Sequence, residues 1–327
     1  GKNNYLTVSL QRVDFDSAFN LAPGVPAAPG DSTIASASGE NNSGPKLIVS
    51  GEVLTPGRWY VVLTNAGVDD VSVTVKAEVS LSNPPSAFDA GLWQPGSRPG
   101  VSQGLDYARA GGNRAMLWYT YDEQGMPTWY LAAGPEPDGN IWTADLLRFT
   151  NNGEDQHEVP VGQLSLTTLA AQDLVFSWQL FGVSGSDRMV PTSLQTCSDI
   201  GNGKQSYTGI WFRGTDGLGG ASVLVNSTTQ GQVHYIFDAV GAPRWLIAAS
   251  DEVLLPTDRE IPIQQFFGFC PTCEGEVYST EVGLLTRDFT NETTGSWTLN
   301  YLLEAPLQGD VTRTEDIFKL STTLTCD

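Results

Sequence analysis

Four cysteines, Cys197, Cys270, Cys273 and Cys326, and two histidines, His157 and His234, have the widest chemical reach of any side chains in this sequence. Cys270-Pro271-Thr272-Cys273 has the spacing of a dithiol redox centre, which works where a helix N-terminus or a cation lowers a thiol pKa. Glu274-Gly275-Glu276 follows instead, and its carboxylates oppose a thiolate. A zinc site made of all four sulfurs would need a second closely spaced pair, which Cys197 and Cys326 do not supply. In an exported chain the even count reads as disulfides, with more than one connectivity open.

Hydrolytic chemistry finds no better footing. His157 sits in Asn152-Gly153-Glu154-Asp155-Gln156-His157-Glu158, an acidic loop that keeps an imidazole solvated. Gly182-Val183-Ser184-Gly185-Ser186 departs from the Gly-x-Ser-x-Gly of a nucleophile elbow and reads as a turn after a strand. Acidic residues are plentiful, yet no pair stands in a setting that marks a general acid beside a base. Asp14 with Asp16, Asp69 with Asp70, and Glu136-Pro137-Asp138-Gly139-Asn140 offer the oxygen ligands Ca²⁺ takes, without EF-hand spacing. The expectation is a chain that is not an enzyme and carries no cofactor beyond a structural calcium.

Charge narrows the partners. Lys and Arg total 17 against 37 Asp and Glu, a net charge of -20 over 327 residues, and no basic cluster draws phosphate against that field. Nucleic acid and anionic membrane surfaces are poor partners for such a chain. Neutral ligands such as glycans, protein partners and cations remain. No apolar run approaches the roughly 20 residues that cross a bilayer, so membrane insertion through a helix is not expected. Gly1-Lys2-Asn3-Asn4 lacks the charged and apolar regions of an export signal, which reads as a signal already removed or as an internal piece of a longer protein.

The elements that position these residues are strands. With 35 Gly, 19 Pro and frequent Thr, Val, Ser, Tyr and Trp, the composition is that of an all-β chain. Strand-like alternation runs over Tyr5 to Val13, Lys46 to Val53, Arg58 to Asn65 and Val71 to Val79, a β-sandwich occupying residues 1–82. Ser17 to Ala22 is the best helical candidate, but it is too short and is closed by Pro23 and Pro26; Pro23 to Pro45 reads as a long loop. Residues 83–89, with Pro84-Pro85, read as a linker.

From Ala90 the sequence repeats itself. Gly91-Leu92-Trp93 answers to Gly209-Ile210-Trp211, and the run from Leu117 to Ala133 aligns without a gap on Val233 to Ala249. Val161-Gly162 and Ser177-Trp178 match Val282-Gly283 and Ser296-Trp297. Two homologous antiparallel modules follow, at 90–197 and 206–327 with a linker at 198–205, each a meander closed into a barrel or folded into a sandwich. Cys197 and Cys326 end equivalent strands, and Cys270 to Cys273 has no counterpart in the first copy. Pairing Cys197 with Cys326 and Cys270 with Cys273 is therefore favoured.

Asp122 to Gly125 and Asp238 to Gly241 carry the residues of a type I hairpin turn with a left-handed closing glycine, and Pro127 and Pro243 begin the return strands. Alternation places Leu117, Tyr119, Tyr121, Trp129 and Leu131 on one face, answered by Val233, Tyr235, Phe237, Trp245 and Ile247. That repeated apolar face is expected to be each module's core. On the other face Trp118 and Tyr130 become His234 and Leu246, which marks Trp118, Tyr130 and His234 as candidates for contacting a ligand or partner.

Two resemblances follow from these motifs. Pro56-Gly57-Arg58-Trp59-Tyr60-Val61-Val62-Leu63-Thr64-Asn65 with its closing strand resembles the pre-peptidase C-terminal type of β-sandwich, an accessory domain of secreted hydrolases and surface proteins. Gly91-Leu92-Trp93 with Trp118-Tyr119-Thr120-Tyr121-Asp122 to Trp129-Tyr130 resembles a Trp/Tyr-rich repeat of exported proteobacterial proteins of uncharacterised function. The second copy departs from that pattern at His234, Phe237 and Leu246. Together they imply a secreted or cell-surface protein of a Gram-negative bacterium that binds or builds through aromatic β surfaces, with glycan, protein or further copies of itself as partner. The rival expectations are the accessory C-terminal region of an exported peptidase or glycosidase, and a subunit of an extracellular filament or sheath.

Overall fold

The computed structural model describes residues 5–10, 17–23, 35–39, 46–50, 59–65, 75–80, 89–96, 103–137, 140–151, 153, 155–194, 196–199, 203–213, 219–226, 229–251 and 260–326. Among the described residues there are strands and turns and no helix. Two compact units divide the chain, one of residues 1–88 with 138–143 and 166–177, the other of 89–137, 144–165 and 178–327.

In the N-terminal region β1 (Tyr5–Leu10), β2 (Ser17–Pro23), β3 (Ala35–Gly39), β4 (Lys46–Ser50), β5 (Trp59–Asn65) and β6 (Val75–Ser80) form two antiparallel sheets, ordered β4-β1-β6 and β3-β2-β5. The former helical candidate is a strand, with Ala18 opposite Thr64 and Ala22 opposite Tyr60. A partner strand outweighs intrinsic propensity over so few residues. β3 lies inside the stretch read as a loop and places Ser36 opposite Asn20. Its Ala-Ser-Ala-Ser alternation contains no large or β-branched apolar residue, so it does not stand out from a small-residue loop.

β7 (Gly91–Pro95), β8 (Gly104–Ala110), β9 (Asn113–Tyr121), β10 (Pro127–Pro135), β11 (Ile141–Asn151), β12 (Gln156–Ala170), β13 (Asp173–Leu180) and β14 (Val183–Leu194) form an antiparallel meander in which β14 returns to β7 and closes a barrel. A short ribbon of β15 (Ser198–Asp199) and β16 (Lys204–Gln205) follows. The second copy repeats the closure with β17 (Gly209–Arg213), β18 (Gly220–Val225), β19 (Gln230–Phe237), β20 (Pro243–Ser250), β21 (Ile261–Phe267), β22 (Tyr278–Phe289), β23 (Thr294–Leu302) and β24 (Asp310–Lys319). Of the two architectures open to the modules, both adopt the barrel, which leaves no strand edge unpaired.

The hairpin turns follow their sequence in both copies. Asp122 Oδ1 accepts from Gln124 N and Met126 N, and Gly125 closes the turn at φ 76°. Asp238 Oδ1 accepts likewise from Val240 N and Ala242 N, with Gly241 at φ 78°. A Cβ at Gly125 would collide with Gly268 O, and one at Gly241 with Asn151 O, so glycine serves both the turn and a close docking.

Ring contacts decide which face is inside. Trp118 on β9 meets Trp178 on β13 at 5.2 Å between centroids, and His234 on β19 meets Trp297 on β23 at 5.0 Å. In neither barrel are these strands neighbours, so each contact crosses the lumen. The face that differs between copies is therefore the barrel interior. The repeated face is the outer wall, and the expectation that it forms each module's own core is corrected. Leu117, Tyr119, Tyr121 and Trp129 share one buried cluster with Val233, Tyr235 and Trp245 of the other barrel.

That seam is reciprocal. Trp129 Nε1 donates to Ile236 O at 3.3 Å while Trp245 Nε1 donates to Thr120 O at 2.7 Å, and the gapless alignment makes the two bonds equivalent. Gly268 N donates to Gly125 O and Asn151 N to Gly241 O, both at 3.0 Å. The copies thus meet as an isologous dimer meets, within one chain. A wall that packs on its own copy must keep its shape in both, whereas each lumen need be filled only by its own side chains. On β9 with β10 and β19 with β20 the wall side chains therefore recur, while the lumens share Trp178 and Trp297 but differ where Trp118 and Tyr130 stand opposite His234 and Leu246.

Candidate functional site

A cleft of about 340 Å³ opens at the end of the first barrel where the Asp122 to Gly125 hairpin and the turn between β13 and β14 lie. Tyr130 and Trp178 form its apolar wall, Asp122, Glu123 and Arg148 its polar one, and Cys270 to Thr272 of the second barrel complete the rim. Those last residues belong to the insertion absent from the first copy. Gln103 Nε2 donates to Phe269 O at 3.1 Å, and Gly268 N reaches Gly125 O, so the insertion is anchored on the first barrel.

Phe181 stands over this cleft. It is 59% exposed and holds φ at 49°, in the left-handed region where an L-residue other than Asn or Asp is strained. Gly182 follows at φ 83°, and the pair makes the tight turn from β13 to β14. Below it Tyr130 lies 6.4 Å from the Phe181 ring and 5.6 Å from Trp118. Aromatic rings therefore rise in a column from the buried lumen to solvent.

The Tyr130 phenol is pushed up to about 12, chiefly by burial, with Arg148 acting against the shift and Asp122 adding to it. It stays neutral and able to donate or accept a hydrogen bond at the cleft floor. Asp122 is committed to the turn through Oδ1, and Arg244 Nη1 approaches its Oδ2 at 3.4 Å. Such a set holds and orients a polar ligand by its edges and stacks its flat face.

Trp118 and Tyr130 come together, both buried, with Tyr130 reaching the cleft and Trp118 beneath it. His234 lies in the other lumen, buried against Trp297, where desolvation first and then Arg313 and Arg287 pull its pKa down to about 3. It is a neutral ring enclosed in protein. His157 is exposed on β12 rather than in a loop, and Ser184 lies within β14. Asp14, Asp16, Asp69 and Asp70 fall outside the described residues. Glu136 is engaged by Arg114 at 2.6 Å and Arg109 at 3.2 Å. Among the described residues no three His, Cys, Asp or Glu side chains gather as a metal site requires. Cys197 and Cys326, and Cys270 and Cys273, stand at disulfide distance.

Sequence reasoning did not select Phe181, Trp178 or Arg148. The signal for Phe181 was Leu180-Phe181-Gly182-Val183, a two-residue tip between strands that sets an aromatic ring on a turn. In comparisons with known protein families, with characterised proteins and with solved structures, nothing matches this chain.

Proposed function

We propose that this chain is a non-catalytic, secreted or cell-surface binding protein of a Gram-negative bacterium, which takes a neutral glycan in the cleft at the mouth of its first barrel. The N-terminal sheets would be the β-sandwich of an accessory domain. Phe181 is the observation that carries the reading. An exposed aromatic in the left-handed region costs about 1–2 kcal/mol, and strain of this kind concentrates at ligand clamps. A sugar ring presents an apolar C–H face that would lie on Phe181, the exposed ring above the buried Tyr130. Its rim hydroxyls would meet Glu123, Arg148 and the Tyr130 hydroxyl. The net charge of -20 favours a neutral sugar over an anionic one at this acidic rim. Cysteine pairs at disulfide distance agree with an oxidising exterior.

A glycan array followed by calorimetry on the hits tests this. Phe181→Ala should remove binding while the melting temperature stays within about 2 °C of the parent. Absence of any glycan ligand, or undiminished binding by Phe181→Ala, would defeat the proposal.

A further inference from the structure

The equivalent mouth of the second barrel has a different character. A cleft of about 280 Å³ opens there, lined by Arg213 from the end of β17, Tyr301 from the end of β23 and Arg313 from the start of β24. We infer that this mouth is a second binding site, for a carboxylate, gripped by the Arg213 and Arg313 guanidiniums and the Tyr301 hydroxyl.

Placement and charge carry this. The chain holds 17 basic residues against 37 acidic ones, yet two arginines converge on one barrel mouth, with Arg287 buried in the same barrel. Guanidinium groups are costly to bury, and a planar fork matches a carboxylate edge. Arg213 is 8% exposed, and both Arg213 and Arg313 contact Glu315, Arg313 Nε lying 2.7 Å from its Oε1. Trp297 Nε1 donates to Glu315 Oε2 at 2.7 Å, which fixes that carboxylate as a wedge holding the two forks. Of the described lining residues Asp238 alone is acidic, and its Oδ2 accepts from Arg244 Nε at 2.8 Å. The low pKa of His234, depressed after burial by Arg313 and Arg287, agrees with a positive lumen. In the first copy Pro95 occupies the position of Arg213, so the two mouths have diverged in charge while sharing a scaffold.

The test is calorimetric titration of the whole protein, at low ionic strength, with acetate and D-glucuronate, each beside its neutral amide, acetamide or D-glucuronamide. Carboxylates should bind and the amides should not, and added salt should weaken the binding. Arg313→Gln should raise the Kd at least about tenfold, and Arg313→Lys, which keeps the charge and loses the fork, should lie between. Glucuronate bound well above acetate identifies an acidic glycan as the source, and equal binding identifies a small free carboxylate; either outcome supports the site. Amides binding as well as the acids, no carboxylate binding, or an unchanged Kd in folded Arg313→Gln would overturn it. If Arg313→Gln fails to fold, an unchanged Kd in Arg313→Lys does so. Phe181→Ala should leave this binding intact, which separates its fate from that of the first cleft.

Discussion

Replacing Asp106 with Asn should stabilise this protein at alkaline pH and do nothing at acid pH. Asp106 lies on β8, buried in the seam between the barrels, and its side chain hydrogen-bonds Ser222, the residue at the equivalent position of the second copy. Tyr119 and Tyr235 surround it, and Oδ2 has no hydrogen-bond partner. Burial raises its pKa from 3.8 to about 7, partly offset by the bond to Ser222. Below pH 3.8 both folded and unfolded chains hold the proton, and the carboxyl contributes no penalty. Between 3.8 and about 7 the unfolded chain releases a proton that the folded one keeps, so stability falls as pH rises. Above about 7 the cost is complete, on the order of 4 kcal/mol at about 1.4 kcal/mol per pH unit. Asn keeps a donor or acceptor toward Ser222 and carries no charge. Urea unfolding of both proteins, disulfides intact, at pH 4, 6 and 8 reads the difference directly and cancels the general repulsion of a net charge of -20. A difference that does not change with pH, or an Asn variant less stable at pH 8, would refute the account of Asp106.

Trp245→Phe should cost about 1–3 kcal/mol, because it leaves the buried Thr120 carbonyl without its donor, and Trp129→Phe should cost a similar amount at Ile236; equilibrium denaturation checks both, and a neutral result at either would mean the reciprocal bonds do not hold the seam. Phe181→Gly should be more stable than Phe181→Ala by about 1 kcal/mol, since both lose the ring but Gly relieves the left-handed backbone; equal melting temperatures would remove the strain argument. Thiol labelling of unfolded, unreduced protein should find no reactive cysteine, whereas four free thiols would contradict the pairing of Cys197 with Cys326 and Cys270 with Cys273.

The Asp-x-x-Gly turns, the proline at each return strand and the matched Gly-Leu-Trp and Gly-Ile-Trp blocks were legible in the amino-acid sequence, because turn chemistry and period-two alternation are local properties of the chain. So was the existence of two opposed faces. Local pattern carries no sign for inside and outside in a closed barrel, where either face of a strand can be buried. Tyr119 and Trp129 are as apolar as any core residue, yet they are buried by the neighbouring barrel, and Trp118 and His234, read as a free surface, fill the lumens. The candidate cleft was half visible. Tyr130 could be picked from its face, and Arg148 lies across from it on the neighbouring β11, but Trp178 and Phe181 at the end of β13 reach it only because the meander closes. The same closure assembles Arg213 from one end of the second copy with Arg313 from the other. Local sequence thus determined the hairpin turns and the repeat of the two modules; partner strands decided β2 and β3, and long-range strand closure with the pairing of like walls decided which side chains are core and which are seam.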